Sequence, residues 1–297
     1  MRVSVLVYVF YAALLGSVCA AAQNGPLSLD RFGQHQKLYM LDESGKIVVS
    51  EQRQIDAPTR VLTRVPPNLK ALDILSTKLW INQELVFVTA YGLTTEDSRP
   101  RLIQYSATGE LQCEWILPEV SAGLDVDRDN HVVYLSGSST GTIYGLKLLK
   151  DTCYGSQQLK PVTQIKAARR LGPIVIDPTR RLAFVADILK GAVFRLDLDR
   201  GGALEIVDSL GQPAALLYND SQNLMYLADA AGRRIFRIDV DRLPVPRPIL
   251  ISKDPALQEP SSLAFAADGK LLVGDRRAKV IFTLNLSGQI QSQFTTP

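Results

Sequence analysis

Apolar and polar positions alternate along most of this chain in short runs, and the runs end on Asp, Asn, Gly or Pro. A period of two marks β-strands, whose successive side chains point to opposite faces. Three stretches show it most clearly. Leu182-Ala-Phe-Val-Ala-Asp187 runs into Gly191-Ala-Val-Phe-Arg-Leu-Asp197. Leu224-Met-Tyr-Leu-Ala-Asp229 runs into Arg234-Ile-Phe-Arg-Ile-Asp239. Leu271-Leu-Val-Gly-Asp275 runs into Lys279-Val-Ile-Phe-Thr-Leu-Asn285. The acids at 187, 229 and 275 recur at intervals of 42 and 46 positions. Units of that length with several short strands each predict the blades of a β-propeller. Helical periodicity is sustained nowhere after the first residues.

A further strand precedes each hairpin. Pro260–Ala266 lies ahead of Asp268-Gly269, Pro213–Asn219 ahead of Asp220-Ser221, Leu171–Asp177 ahead of Pro178-Thr179, and Ser121–Asp127 ahead of Arg128-Asp-Asn130. Such pairs form turns because they tolerate or pre-set the required φ. Pro67–Asp73 opens a more divergent unit. Residues 27–65 supply another, with Lys37–Asp42, Gly45–Ser50 and Val61–Val65 as its second, third and fourth strands. The expected fold is all-β, a single six-bladed β-propeller of four-stranded antiparallel blades over residues 27–297, with five or seven blades as alternative counts. Thr94–Pro100 and Pro244–Pro248 read as surface loops.

The first residues stand apart. Arg2 precedes an apolar run from Val3 to Val18, and the small residues Cys19-Ala-Ala-Ala22 follow. This predicts a cleaved signal peptide over residues 1–22, and a secreted or, in a bacterium, periplasmic protein. The alternative is an N-terminal anchor, but the run is short for a hydrocarbon core of about 30 Å. No other stretch is apolar enough to cross a membrane. Val18 argues against lipidation of Cys19. Cys113 and Cys153 then remain, in the outer parts of successive units, and one disulfide is expected between them, with two free thiols as the alternative. Asn219-Asp-Ser221 and Asn285-Leu-Ser287 match the acceptor motif for N-glycosylation. The net charge of +3 is too small to imply nucleic acid or an anionic membrane as partner.

The units resemble NHL repeats and the related SMP-30/gluconolactonase/LRE-like propellers. The resemblance is carried by Leu224–Asp229 with Arg234–Asp239, by the stretches beginning at 182 and 271, and loosely by the one near 132. Arg101–Pro118 is similar to a segment of the yellow/major royal jelly propellers. In the lactonase branch the resemblance implies a divalent cation, often calcium, at the mouth of the central channel. Its ligands would include a first-blade Glu and an Asn and an Asp from Pro-Asn-Gly and Pro-Asp-Gly motifs. Oxygen ligands suit such a hard cation, which polarises the lactone carbonyl and activates water. Here Pro67-Asn68-Leu69 keeps the Pro-Asn pair without the Gly. Ala122, Gly172, Ala214 and Ser261 stand at the matching positions of later units, and Asp30 is the nearest first-blade carboxylate. The metal constellation is thus mostly missing: Asn68 reads as a turn residue, with a surviving metal ligand as the alternative, and calcium is expected only if a lactonase-type site survives. No cofactor is expected otherwise.

Other chemistry is sparse. Asp187, Asp229 and Asp275 end equivalent strands, which predicts turn-capping roles. Asp125 and Asp127 lie on one side of a strand, and with Asp73 and Asp177 they line the channel or cap turns. The mature chain keeps two histidines, His35 and His131, and no His-x-x-x-His, Cys-x-x-Cys or Gly-x-Ser-x-Gly. Gly137-Ser-Ser-Thr-Gly141 lacks the Lys of a phosphate loop and reads as a hairpin turn. Pro66, Val120, Arg170, Gln212 and Glu259 precede the inner strands and are expected to ring one mouth. Lys166, Arg169 and Arg170 would make part of that rim basic, with Glu259 opposing it. The expected function is non-catalytic binding of an unidentified protein or small ligand through Arg170, Gln212 and Glu259. The alternatives are a calcium-dependent lactonase-type hydrolase, and a carrier of a small apolar or amine ligand of the royal-jelly type.

Overall fold

The computed structural model describes residues 28–29, 37–42, 44–50, 59–80, 83–94, 97–149, 159–242, 245 and 247–295. The leader, Asp30, His35 and Cys153 lie outside them. Among the described residues, twenty-four strands form six four-stranded antiparallel sheets. Blade 1 holds β1 (Ser28–Leu29), β2 (Leu38–Leu41), β3 (Lys46–Ser50) and β4 (Thr59–Arg64). Blade 2 holds β5 (Leu69–Trp80), β6 (Gln83–Gly92), β7 (Pro100–Ser106) and β8 (Leu111–Ile116). Blade 3 holds β9 (Ser121–Asp127), β10 (Val132–Gly137), β11 (Thr142–Lys147) and β12 (Lys160–Gln164). Blade 4 holds β13 (Leu171–Asp177), β14 (Leu182–Asp187), β15 (Ala192–Asp197) and β16 (Ala203–Val207). Blade 5 holds β17 (Pro213–Asn219), β18 (Leu224–Asp229), β19 (Arg234–Asp239) and β20 (Ile249–Ser252). Blade 6 holds β21 (Pro260–Phe265), β22 (Leu271–Asp275), β23 (Val280–Leu284) and β24 (Ile290–Thr295). No helix among these residues is long and apolar enough to cross a membrane.

The inner strands meet in the order β1, β5, β9, β13, β17, β21, and β21 meets β1 again, which closes the ring. Each blade is buried on both faces, and this explains the second strands. In β14, Leu182, Phe184 and Ala186 pack toward blade 5, while Ala183 and Val185 pack toward blade 3. In β18, Met225 and Leu227 face blade 4, while Tyr226 and Ala228 face blade 6. A strand between two neighbours is apolar at every position, although its pleat still alternates. Burying each such Leu or Phe contributes about 1.5–3 kcal/mol before the entropy of ordering it.

Blade 2 departs from the expected alignment. Asp73 does not end its strand but pairs with Thr89 in mid-hairpin, as Asp125 pairs with Tyr134. Both acids are buried. They point across the inner seams: Leu124 N–H donates to Asp73 at 3.4 Å and Ile176 N–H to Asp125 at 2.7 Å. An inner strand has one edge without a ladder partner, and these carboxylates satisfy N–H groups there. Asp127 and Asp177 cap the turns after β9 and β13, taking the N–H groups of Asn130 at 3.0 Å and Arg180 at 3.1 Å. They also tie blades together, Asp127 through Arg181 and Asp177 through Tyr218 at 2.9 Å.

Candidate functional site

Because every blade has the same connectivity, all inner strands start at one face of the ring. This leading face carries the residues before each inner strand and the turn between second and third strands. The opposite, trailing face carries the other two turns.

On the leading face one backbone pattern repeats. The carbonyls of Asn68, Val120, Arg170, Gln212 and Glu259 accept from the N–H groups of Leu93, Ser138, Ile188, Ala230 and Arg276, at 2.9 to 3.0 Å. In blades 3 to 6 the accepting carbonyls are those of Val120, Arg170, Gln212 and Glu259. In blade 2 the place belongs to Asn68 and not to Pro66. The metal candidate and the rim candidates, separate in the sequence, are homologous positions of one mouth.

Buried carboxylates hold this pattern in blades 4 to 6. Asp187 takes the N–H groups of Arg169, Arg170 (3.1 Å), Leu189 (3.1 Å) and Lys190 (2.9 Å). Asp229 takes those of Gly211 (3.1 Å), Gln212 (2.8 Å) and Gly232 (3.0 Å), with the Arg234 guanidinium. Asp275 takes those of Gln258 (2.7 Å), Glu259 (2.9 Å) and Ala278 (2.8 Å). Turn capping was expected of these acids. The second set of donors, from the loop entering the inner strand, was not. One carboxylate thus joins a blade's incoming loop to its second turn.

Blade 3 makes the same joint by another route. Gly137 pairs with Ser121 as Asp187 pairs with Leu171, so a Gly stands at the Asp position. Glu119, from the incoming loop, fills the space. It accepts from the N–H groups of Ser139 (2.7 Å) and Thr140 (3.0 Å), their hydroxyls, and the Tyr144 hydroxyl at 2.9 Å. A Cβ on residue 137 would sit 2.3 Å from the Glu119 carboxylate. Burial pushes Glu119 up, but these hydrogen bonds outweigh it and leave the group below the usual range. Glu119 was missed in the sequence; its signal was a Glu two residues before an inner strand whose blade lacks the repeated Asp.

These carboxylates are engaged with backbone and do not converge on a common point. Among the described residues no group of three or more His, Cys, Asp or Glu side chains could hold a metal ion. Asn68 is an exposed turn residue. His131 sits on the trailing face at a positive φ of 51°, the place taken by Arg181 and Asn223 in the next blades. Lys166, Arg169, Arg233 and Arg277 are exposed in the leading-face loops of blades 4 to 6, among Leu189, Asp208 and Gln258. Glu259 does not oppose these cations, because it forms an ion pair with Arg276. Cys113 is buried on β8.

No protein-family model matches the chain, and no curated protein matches it in sequence. Solved structures do. A chain of a nidogen/laminin complex aligns at 15% identity over 88% of this chain and 93% of its own, with a TM-score of 0.69. Virginiamycin B lyase from Staphylococcus aureus aligns at 13% identity over 92% and 85%, with a TM-score of 0.62. An auxiliary nutrient binding protein from Bacteroides thetaiotaomicron aligns at 12% identity over 86% and 68%, with a TM-score of 0.63. Likenesses this low in identity carry the fold and nothing finer: the chain is a six-bladed β-propeller, of an architecture that serves binding proteins and lyases alike.

Proposed function

We propose that this chain is an exported, non-catalytic binding propeller of the NHL/SMP-30 type, and that it engages a partner bearing acidic groups at the leading mouth. One observation carries the reading. Backbone positions around that mouth share one hydrogen-bond pattern, tied down by buried carboxylates in blades 4 to 6, while the side chains on them differ from blade to blade. Asn68, Val120, Arg170, Gln212 and Glu259 share one frame but range from carboxamide to apolar, cationic and anionic side chains. A scaffold that keeps its frame and varies its surface suits recognition. Lys166, Arg169, Arg233 and Arg277 give it a cationic arc for carboxylate groups. Export and a Cys113–Cys153 disulfide joining the outer parts of blades 2 and 3 belong to the same proposal.

The second reading is a calcium-dependent lactonase-type hydrolase, favoured by Asn68 lying in the mouth ring. The two part on one experiment: melting of the mature protein with calcium and with chelator, beside an assay of lactone turnover. The binding reading expects neither a shift nor turnover above background. A rise of several degrees in calcium that disappears in Asn68→Ala, together with turnover, would overturn it.

A further inference from the structure

The two acceptor motifs fall on one side of the ring. Asn219 ends β17 at the turn between first and second strands, and Asn285 follows β23 at the turn between third and fourth strands. Both turns lie on the trailing face, in adjacent blades, opposite the basic mouth. The two sites share local geometry. The Ser221 hydroxyl lies 2.8 Å from Asn219 Oδ1, and the Ser287 hydroxyl 2.7 Å from Asn285 Oδ1. Each Nδ2 donates to a Gln on its own exposed turn, Gln222 at 3.4 Å and Gln289 at 3.0 Å. An amide nitrogen carries two hydrogens, so one stays available for replacement while that contact persists.

The fold needs only the oxygen of these side chains. At the place of Asn219, Asp127 and Asp177 accept from the turns of blades 3 and 4. At the place of Asn285, Asp197 and Asp239 do so in blades 4 and 5. An Asp has no amide nitrogen, so the turn geometry common to the blades requires only the oxygen, and each Nδ2 donates to an exposed Gln of its own turn rather than to that shared frame.

We propose that Asn219 and Asn285 are N-glycosylation sites whose glycans cover the trailing face of blades 5 and 6. The donor would be an oligosaccharide on a lipid pyrophosphate. Its C1–O bond to pyrophosphate breaks, a C1–Nδ2 bond forms, the amide loses one proton, and the lipid pyrophosphate leaves with the bonding pair. The proposal requires export and is independent of what the leading mouth binds.

The test is the intact mass of the full chain made in a eukaryotic secretory host, before and after amidase treatment that releases N-glycans and turns each former site into Asp. The expected result is two occupied sites, with Asn219→Asp and Asn285→Asp each removing one glycan. The released protein and the double variant, which carry the same side chains, should melt together. A chain with the mass of the bare polypeptide, whether secreted or retained in the cell, would overturn the proposal. Occupancy that survives Asn285→Asp and Asn219→Asp together would do so as well.

Discussion

Asp229 and Asp275 occupy the same place in successive blades, and the protein shifts them in opposite directions. Burial pushes Asp229 up, but the Gln212 N–H, the Arg234 guanidinium and the N–H groups of Gly232 and Gly211 outweigh it, and the net shift is down. At Asp275 burial prevails over its N–H donors and the net shift is up. The difference lies across the ladder, where Asp229 faces Arg234 and Asp275 faces Val280. The linkage signs follow. A lowered folded pKa makes Asp229 stabilising above the unfolded value of about 3.9, and that contribution is lost as pH falls through the folded value. A raised folded pKa makes the Asp275 contribution full below about 3.9, and lost as pH rises through the folded value. Asp229→Asn should therefore cost about 2–3 kcal/mol near neutral pH, and Asp275→Asn about 1 kcal/mol or less. Urea melts of both variants at neutral and acid pH check this; equal costs at neutral pH would contradict the account. Gly123 is a different case. A Cβ there would meet Gly172 O at 2.4 Å and Pro173 Cα at 2.8 Å, so the inner strands of blades 3 and 4 approach only because the side chain is absent. Gly123→Ala should destabilise by about 3 kcal/mol, measured in the same melts.

At the scale of the blade, the hairpins were legible and one joint was not. Turn chemistry and strand period placed β13 to β15, β17 to β19 and β21 to β23 from local pattern, because each strand follows its neighbour in sequence and pairs with it. The blade 3 joint depends on a side chain from another segment reaching a vacated position, and no period reports that. It makes a sharp prediction. Glu119→Ala removes the cap and should cost about 1–3 kcal/mol. Gly137→Asp in the native background collides with Glu119 and brings two carboxylates together, and should also be destabilising. Together the two changes rebuild the arrangement of blades 4 to 6, so the double variant should be more stable than the sum of the single effects by about 1 kcal/mol or more. A thermodynamic cycle from denaturant melts reads that coupling, and additivity would refute it. Blade 2 was misaligned because β5 runs on to Trp80, so Asp73 does not mark the strand's end and cannot be matched to Asp127 or Asp177.

For the whole molecule, the ring is closed by packing. No sheet combines strands from both ends of the described chain, so blades 1 and 6 are joined by side chains and not by a shared ladder. Their seam brings Leu38, Met40 and Val48 against Ala264, Leu272 and Ile281. The seam between blades 4 and 5 is bulkier, with Phe184 and Phe236 among Leu216, Leu227 and Ile238. Ring opening should therefore begin at the seam of blades 1 and 6, so that amides of β2 and β3 exchange at a lower opening free energy than those of β14 and β18. Native-state hydrogen exchange measures this, and one common opening free energy for all four strands would contradict it.

The sequence by itself determined the class of fold, the blade period and the acids at the strand ends. All of these are local: a strand's period and a turn's residues act over a few positions and repeat with each blade. Tertiary structure decided which face each position reaches, that Asn68 shares a ring with Arg170, Gln212 and Glu259, and that Glu119 replaces a missing Asp. It also placed Asn219 and Asn285 on one side. These depend on six blades closing about one axis, where residues 50 or more positions apart meet through backbone and carboxylate and a one-dimensional pattern carries no record of the meeting.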